Sequence, residues 1–174
     1  MYNHGFTLLE LLITLVIIIL LITVGVPSFS AQIHNTRVKT ISSSLFESVE
    51  LTRTQAVFSN TRATMKHHGT WEDGWDVFID KNNNGTLDQD EKLLVSTEKV
   101  NDVRITSNRP VKNYISYISS GESRFVGKAD GGAFQAGTLT ICPTTKGNGY
   151  ELILARSGRM RMHEITADKC NALL

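Results

Sequence analysis

From Phe6 to Val26 the chain reads FTLLELLITLVIIILLITVGV, an apolar run whose single ionisable side chain is Glu10. About 20 apolar residues suffice for a membrane-spanning helix. A carboxylate inside such a helix costs roughly 2.5–3.5 kcal/mol near its centre and less towards an end, so Glu10 calls for a partner and a function. A secretory signal would need a positive leader, an apolar stretch of about 7–15 residues and a small-residue cleavage site. Met1-Tyr2-Asn3-His4 has no Lys or Arg, the run is too long, and Ser28-Phe29-Ser30-Ala31 is a poor cleavage site. A plain membrane anchor accounts for the length and leaves Glu10 unexplained.

Pro27 ends the run, and a proline inside a helix removes a backbone bond and predicts a kink. Beyond it Phe29, Ile33, Val38, Ile41, Leu45, Val49 and Ala56 recur at helical spacing among polar residues. The expectation is one long helix from Phe6 to about Phe58, its second half packed on a globular head and stopped at Ser59-Asn60. After Asn60 the pattern shortens to strands. Arg62 to Lys66, Trp75 to Ile79, Lys92 to Ser96, Val103 to Thr106, Tyr114 to Ile118, Thr138 to Ile141 and Tyr150 to Leu154 are the candidates, separated by Gly, Asn, Asp and Ser clusters. Helix followed by antiparallel strands is an α+β arrangement in which the helix covers a sheet. The predicted segments are a leader (1–5), a transmembrane half-helix (6–26), an amphipathic half-helix (27–58) and a β-rich head (59–174).

The formal net charge of +1 is unevenly distributed. From 71 to 102 nine acidic residues face three basic ones, leaving −6; from 103 to 174 ten basic residues face five acidic ones, leaving +5. This fits two surfaces with different partners, or simply solvated faces. Within the acidic stretch, Asp80-Lys81-Asn82-Asn83-Asn84-Gly85-Thr86-Leu87-Asp88-Gln89-Asp90-Glu91 fits the calcium-loop pattern at each position. Asp80, Asn82, Asn84 and Asp88 would offer side-chain oxygens, Thr86 its carbonyl and Glu91 both carboxylate oxygens. Strands rather than helices flank it, and a polar hairpin loop is the competing reading. Calcium is thus a possible ligand, and no cofactor is required.

In the basic stretch, Gly158-Arg159-Met160-Arg161 stands out. On an extended segment Arg159 and Arg161 project to one side, and paired guanidiniums suit phosphates. A solvated strand end or a salt bridge to a neighbouring subunit competes with that. Cys142 and Cys170, the two cysteines, allow a disulfide, a metal site or a catalytic thiol, and no His or Cys cluster accompanies either. No acid–base pair, phosphate loop or nucleophile motif is visible, and His67-His68 on a strand would point to opposite faces. The chain is not expected to be an enzyme.

The N-terminus resembles type IV prepilins and type II secretion pseudopilins, whose short polar leader ends in Gly before Phe-Thr-Leu-x-Glu-like residues. Here these are Gly5, Phe6, Thr7, Leu8, Leu9 and Glu10, though the leader lacks the usual Lys or Arg. The head is similar to that of the GspH/FimT/FimU group of minor pilins and pseudopilins, on Trp71, Gly74-Trp75, Val77 to Asp80, Asn82, Asn84, Gly85, Cys142-Pro143 and Ser157-Gly158-Arg159. The resemblance implies cleavage between Gly5 and Phe6 by a prepilin peptidase and methylation of the new Phe6 amine. That amine would then pair with Glu10, on the same or the next subunit, and set assembly register with other pilins. It implies a single-pass inner-membrane precursor with a periplasmic head, later part of a pilus or pseudopilus. In the periplasm a Cys142–Cys170 disulfide would persist. FimT-type pilins that take up DNA carry Gly-Arg-x-Arg near the C-terminus, which implies weak, salt-sensitive binding of double-stranded DNA through Arg159 and Arg161. A FimT/FimU-like minor pilin is the first expectation; the type II secretion pseudopilin H is the alternative.

Overall fold

The computed structural model describes residues 7–128 and 131–172, with the side chains of 24–35 outside that description. Helix α1 spans Leu8–Phe58 and runs unbroken through Pro27. It opens on a capping box. Thr7 Oγ1 accepts from the Glu10 N–H at 3.2 Å, and Glu10 Oε2 accepts from the Thr7 N–H at 2.9 Å. It closes on Ser59, after which Asn60 turns the chain with φ of 49°. Leu8 to Ile22 are exposed, so the first turns carry an apolar surface with no cover in the isolated chain. Among the described residues no helix is long and apolar enough to cross a membrane. The predicted span lies partly outside them, as do Phe29 and Ile33 of the predicted stripe.

The second half of α1 packs on the head through Val38, Leu45, Val49 and Ala56, all buried. Ser42, Ser48 and Thr52 are buried beside them, each returning its hydroxyl to the carbonyl four residues back. These small side chains let the sheets approach closely, and Trp75 donates its indole N–H to Ser48 Oγ at 2.9 Å.

Among the described residues the head holds eight strands in two antiparallel sheets. The strands are β1 (Ala63–His67), β2 (Trp75–Ile79), β3 (Leu93–Thr97), β4 (Val103–Ser107), β5 (Tyr114–Tyr117), β6 (Gly137–Pro143), β7 (Gly149–Leu154) and β8 (Met160–Ile165). A short helix α2 (Ala167–Asn171) follows. One sheet has the order β3-β2-β1-β5 and the other β4-β6-β7-β8. Helix α1 contacts both, and residues of α1 and of both sheets form one hydrophobic core. Seven strands lie where the sequence pattern expects them, within a few residues. β8 and α2 were not expected as elements, and the single sheet of the expectation is two.

The far side of the first sheet, away from α1, is largely polar and yet buried. Thr64, Phe78 and Ser116 share that row. The 80–91 loop and residues 118–128 and 131–135 close over it through Arg62, Asp80 and Gln135, each at most 3% exposed.

Candidate functional site

Three regions hold the site residues expected from the sequence: the N-terminus, the 80–91 loop and the outer face of the second sheet. Gly5 and Phe6, the predicted processing residues, lie outside the described residues. Glu10, the predicted assembly residue, stands in the first turn of α1 with its carboxylate on the Thr7 backbone and hydroxyl (2.9 and 3.1 Å). The carboxylate therefore reaches back to the last residue before the helix, next in sequence to Phe6.

In the 80–91 loop, Asp80 is fully buried and acts as a hub. Its Oδ1 accepts from the Asn84 N–H at 3.0 Å, and its Oδ2 from the Gly85 N–H at 2.9 Å and Thr64 Oγ1 at 3.0 Å. Burial pushes its carboxyl above the usual carboxylate range, against the pull of these bonds and of Arg62. Asn82 and Asn84 both donate side-chain N–H groups to Asp88 Oδ2, at 2.6 and 2.8 Å. Glu91 accepts from the Lys81 N–H at 2.8 Å and the Asp88 N–H at 3.2 Å. Thr86 Oγ1 accepts from Lys66. The predicted calcium ligands are thus brought together, and their side chains are engaged with one another and with the loop backbone. Asp80, Asn82, Asn84, Asp88, Glu91 and the Thr86 carbonyl are the oxygens a divalent cation could use. Among the described residues no group of three or more His, Cys, Asp and Glu side chains is placed to hold a metal ion.

The second sheet ends in a closed corner. Cys142 of β6 and Cys170 of α2 form a disulfide with Cα atoms 5.7 Å apart. Gly149 of β7 lies against it: a Cβ there would fall 2.4 Å from Cys170 Sγ, so only glycine fits. On the outer face Glu151, largely buried, receives Lys169 Nζ at 2.8 Å and His163 Nε2 at 3.2 Å. Arg161 stands on the same face of β8 as His163, opposite Ile153.

Gly158 sets the turn that leads into β8. Its φ is +79°, its carbonyl accepts from the buried Tyr117 hydroxyl at 2.9 Å, and a Cβ would lie 2.1 Å from the Gly121 carbonyl oxygen. Burial pushes the Tyr117 hydroxyl well above its usual range. Arg159 follows, exposed; Met160 is buried; Arg161 is exposed again. The alternation turns both arginines to solvent, Arg159 just before edge strand β8 and Arg161 on it. Neither forms an ion pair with a described residue.

Histidines 67 and 68 point apart. His68 Nε2 lies 2.9 Å from Asp76 Oδ1, while His67 meets the Lys112 carbonyl at 3.1 Å and packs edge-on against Trp71.

Two structural residues have no signature in the sequence. Arg62 donates to Asn83 Oδ1, Ser116 Oγ and the carbonyls of Arg124 and Lys128. Gln135 accepts from the Ser116 N–H and Ser123 Oγ and donates to the carbonyls of Pro110 and Tyr114. Their partners lie up to 66 residues away, beyond any local pattern.

Residues 42–158 match the family described as type II transport protein GspH, and residues 1–26 match the prokaryotic N-terminal methylation motif. Among solved structures, the type IV minor pilin FimU of Pseudomonas aeruginosa superposes with a TM-score of 0.58 at 14% identity, covering 74% of this chain and 90% of that one. A second crystal form of FimU gives 0.54 at 15% identity, covering 72% and 91%. The minor pseudopilin EpsH from the type 2 secretion system of Vibrio cholerae gives 0.52 at 15% identity, covering 73% and 96%. At these identities the likeness is one of fold. None of the curated proteins matches the sequence.

Proposed function

The chain belongs to the GspH family of minor pilins and pseudopilins, and from that premise we propose that it is a minor type IV pilin of the FimT/FimU kind whose exposed arginine edge contacts DNA. Its role is structural. It is stored in the inner membrane through its N-terminal helix, cut between Gly5 and Phe6 by a prepilin peptidase, and assembled with other pilins. The Phe6 amine freed by that cut would lie close to the Glu10 carboxylate, which already reaches to Thr7. In hydrocarbon a paired amine and carboxylate is far less costly than either charge alone. A subunit in the wrong register would leave Glu10 without its amine.

The observation that carries the pilus and DNA reading is the Gly158-to-Arg161 turn. A glycine that no other residue can replace presents two guanidiniums that form no ion pair with any described residue. Guanidiniums so placed bind backbone phosphates without reading sequence, and the affinity must fall steeply with salt. The test uses the full chain in detergent micelles, titrated with duplex DNA at about 50 and 200 mM salt. Arg159→Ala/Arg161→Ala is expected to weaken binding and to flatten its salt dependence. Equal binding by wild type and variant, or none by either, removes DNA from the proposal and leaves the pilin. The secretion pseudopilin is the second reading, since FimU and EpsH superpose on the same head. A gene deletion scored for twitching, transformation and exoprotein release separates the two machines.

A further inference from the structure

Two neighbouring cavities, of about 450 and 460 Å³, open beside the Arg109–Val111 turn and share Lys112 and Asn113 in their walls; together they are treated as one groove. Arg104, His67 and Trp71 wall one half; Arg109, Tyr114 and Phe125 wall the other. The turn between them is fastened from three sides. His67 Nε2 bonds the Lys112 carbonyl at 3.1 Å, Trp71 Nε1 donates to the Val111 carbonyl at 3.1 Å, and Gln135 Nε2 donates to the Pro110 carbonyl at 2.8 Å. The His67 tautomer is set by its other nitrogen, which accepts from the Gly69 N–H at 3.0 Å, so Nε2 carries the proton and the ring is neutral. Arg109 and Lys112 thus stand on a rigid support, exposed, and form no ion pair with any described residue.

Among the described residues the one carboxylate lining the groove is Glu72, whose Oε1 accepts from the Ile105 N–H at 2.6 Å. Its single negative charge is outnumbered by Arg104, Arg109 and Lys112, so the net charge of the lining is positive. Tyr114 and Phe125 are half-buried, and the Tyr114 hydroxyl, which accepts from the Val126 N–H at 3.3 Å, holds that ring in place. Cations carried on a fastened turn beside two aromatic side chains select a ligand with repeated negative charge and flat apolar faces. A duplex keeps its base faces inside its own stack, and an inorganic polyanion has none. A single strand offers both. We propose that this groove binds single-stranded nucleic acid, its phosphates on Arg109 and Lys112 and its bases against Tyr114 and Phe125. The site is separate from the arginine edge. Arg104 lies on β4 and Arg161 on β8, the two outer strands of the second sheet, which are three strand spacings or roughly 14 Å apart.

The test is fluorescence anisotropy on the full chain in detergent micelles with a labelled short oligothymidylate, and with duplex DNA and polyphosphate as competitors. Arg109→Glu/Lys112→Glu is expected to weaken oligothymidylate at least about tenfold. It should also reduce the salt slope by about 1.4, since each lost phosphate contact on a single strand removes about 0.7. Phe125→Leu keeps an apolar side chain and is expected to weaken binding by about fivefold or more with the salt slope unchanged. Arg159→Ala/Arg161→Ala should leave oligothymidylate binding intact, so failure of the duplex reading and failure of this one are distinguishable. Circular dichroism melting confirms that each variant is folded. The proposal is overturned if oligothymidylate does not bind, if the charge-reversed variant binds it as wild type does, or if duplex or polyphosphate competes as well as the single strand.

Discussion

The two sheets of the head bear polar side chains on the faces turned from the core, and they use them in opposite ways. Behind the first sheet, Thr64, Asp80, Ser116, Arg62 and Gln135 are buried and bonded to one another and to the loops that cover them. On the second sheet, Glu151 is held by Lys169 and His163, while Arg161 on the same face is open to solvent. A buried polar group left without its partner costs its full desolvation penalty. The first face is therefore fixed by folding, and the second is free to be read by a partner. The same amino-acid types are locked into structure in one place and left open to solvent in the other, and burial decides which.

Substitution should expose that difference most strongly at Asp80. Asp80→Ala leaves the Asn84 and Gly85 N–H groups and the Thr64 hydroxyl without their acceptor, close to the buried Arg62. We expect a loss of about 3 kcal/mol or more in denaturant unfolding. Arg161→Ala, exposed and unpaired, should change stability by less than about 0.5 kcal/mol. Similar losses at the two positions would break the comparison.

The covalent corner of the second sheet comes next. The Cys142–Cys170 bridge closes a segment with a sequence separation of 28 and holds α2 against β6 and β7. Cys142→Ser/Cys170→Ser should cost about 2–4 kcal/mol. The loss should fall on the end of the second sheet, so hydrogen exchange should rise in β8 before it rises in β1 and β2. A uniform rise across both sheets would mean that the head unfolds as one unit and that the sheets do not differ in this respect.

The split between the sheets also explains what sequence could and could not reveal. Helix α1 was legible because Val38, Leu45, Val49 and Ala56 repeat at its period, and because Ser59-Asn60 stops it. Strands such as Trp75–Ile79 were legible from local composition. Strand β8 was not: Arg161, Met162, His163 and Glu164 are all exposed on an edge, so only Met160 and Ile165 mark it as part of the core. Pairing was equally hidden, since β5 joins β1 across about 50 residues rather than joining its neighbour β4. Of the candidate sites, the arginine pair and the 80–91 loop are contiguous motifs and could be read directly. The groove at Lys112 could not, because Trp71 and His67 reach it from about 40 residues away.

Acid should act on the first sheet through His67. Burial holds its imidazole below the usual 6.5, with bonds to backbone working the other way. The unfolded chain therefore binds more protons than the folded one near and below pH 6.5, and stability falls as pH drops through that range. His67→Asn should flatten this limb of a stability–pH curve measured by thermal melting. An unchanged limb would assign the acid response to groups other than His67.

Calcium should have the smallest effect, because the 80–91 loop is already bonded. We propose that the loop takes calcium weakly, through the oxygens of Asp80, Asn82, Asn84, Thr86, Asp88 and Glu91. To do so, Asn82 and Asn84 must turn their amide N–H groups away from Asp88, and Glu91 must release the Lys81 and Asp88 N–H groups. The gain is relief of repulsion among the loop's carboxylates; the cost is those hydrogen bonds. When the ion is near its dissociation constant, mass action gives only about 0.4 kcal/mol, or roughly 1–2 °C in melting temperature for a chain of this size. A chelator should reverse the rise, and Asp88→Asn/Glu91→Gln should abolish it. If millimolar calcium leaves the melting temperature unchanged, the loop belongs wholly with the buried polar face, as a hydrogen-bonded turn whose carboxylates have no ligand to gain.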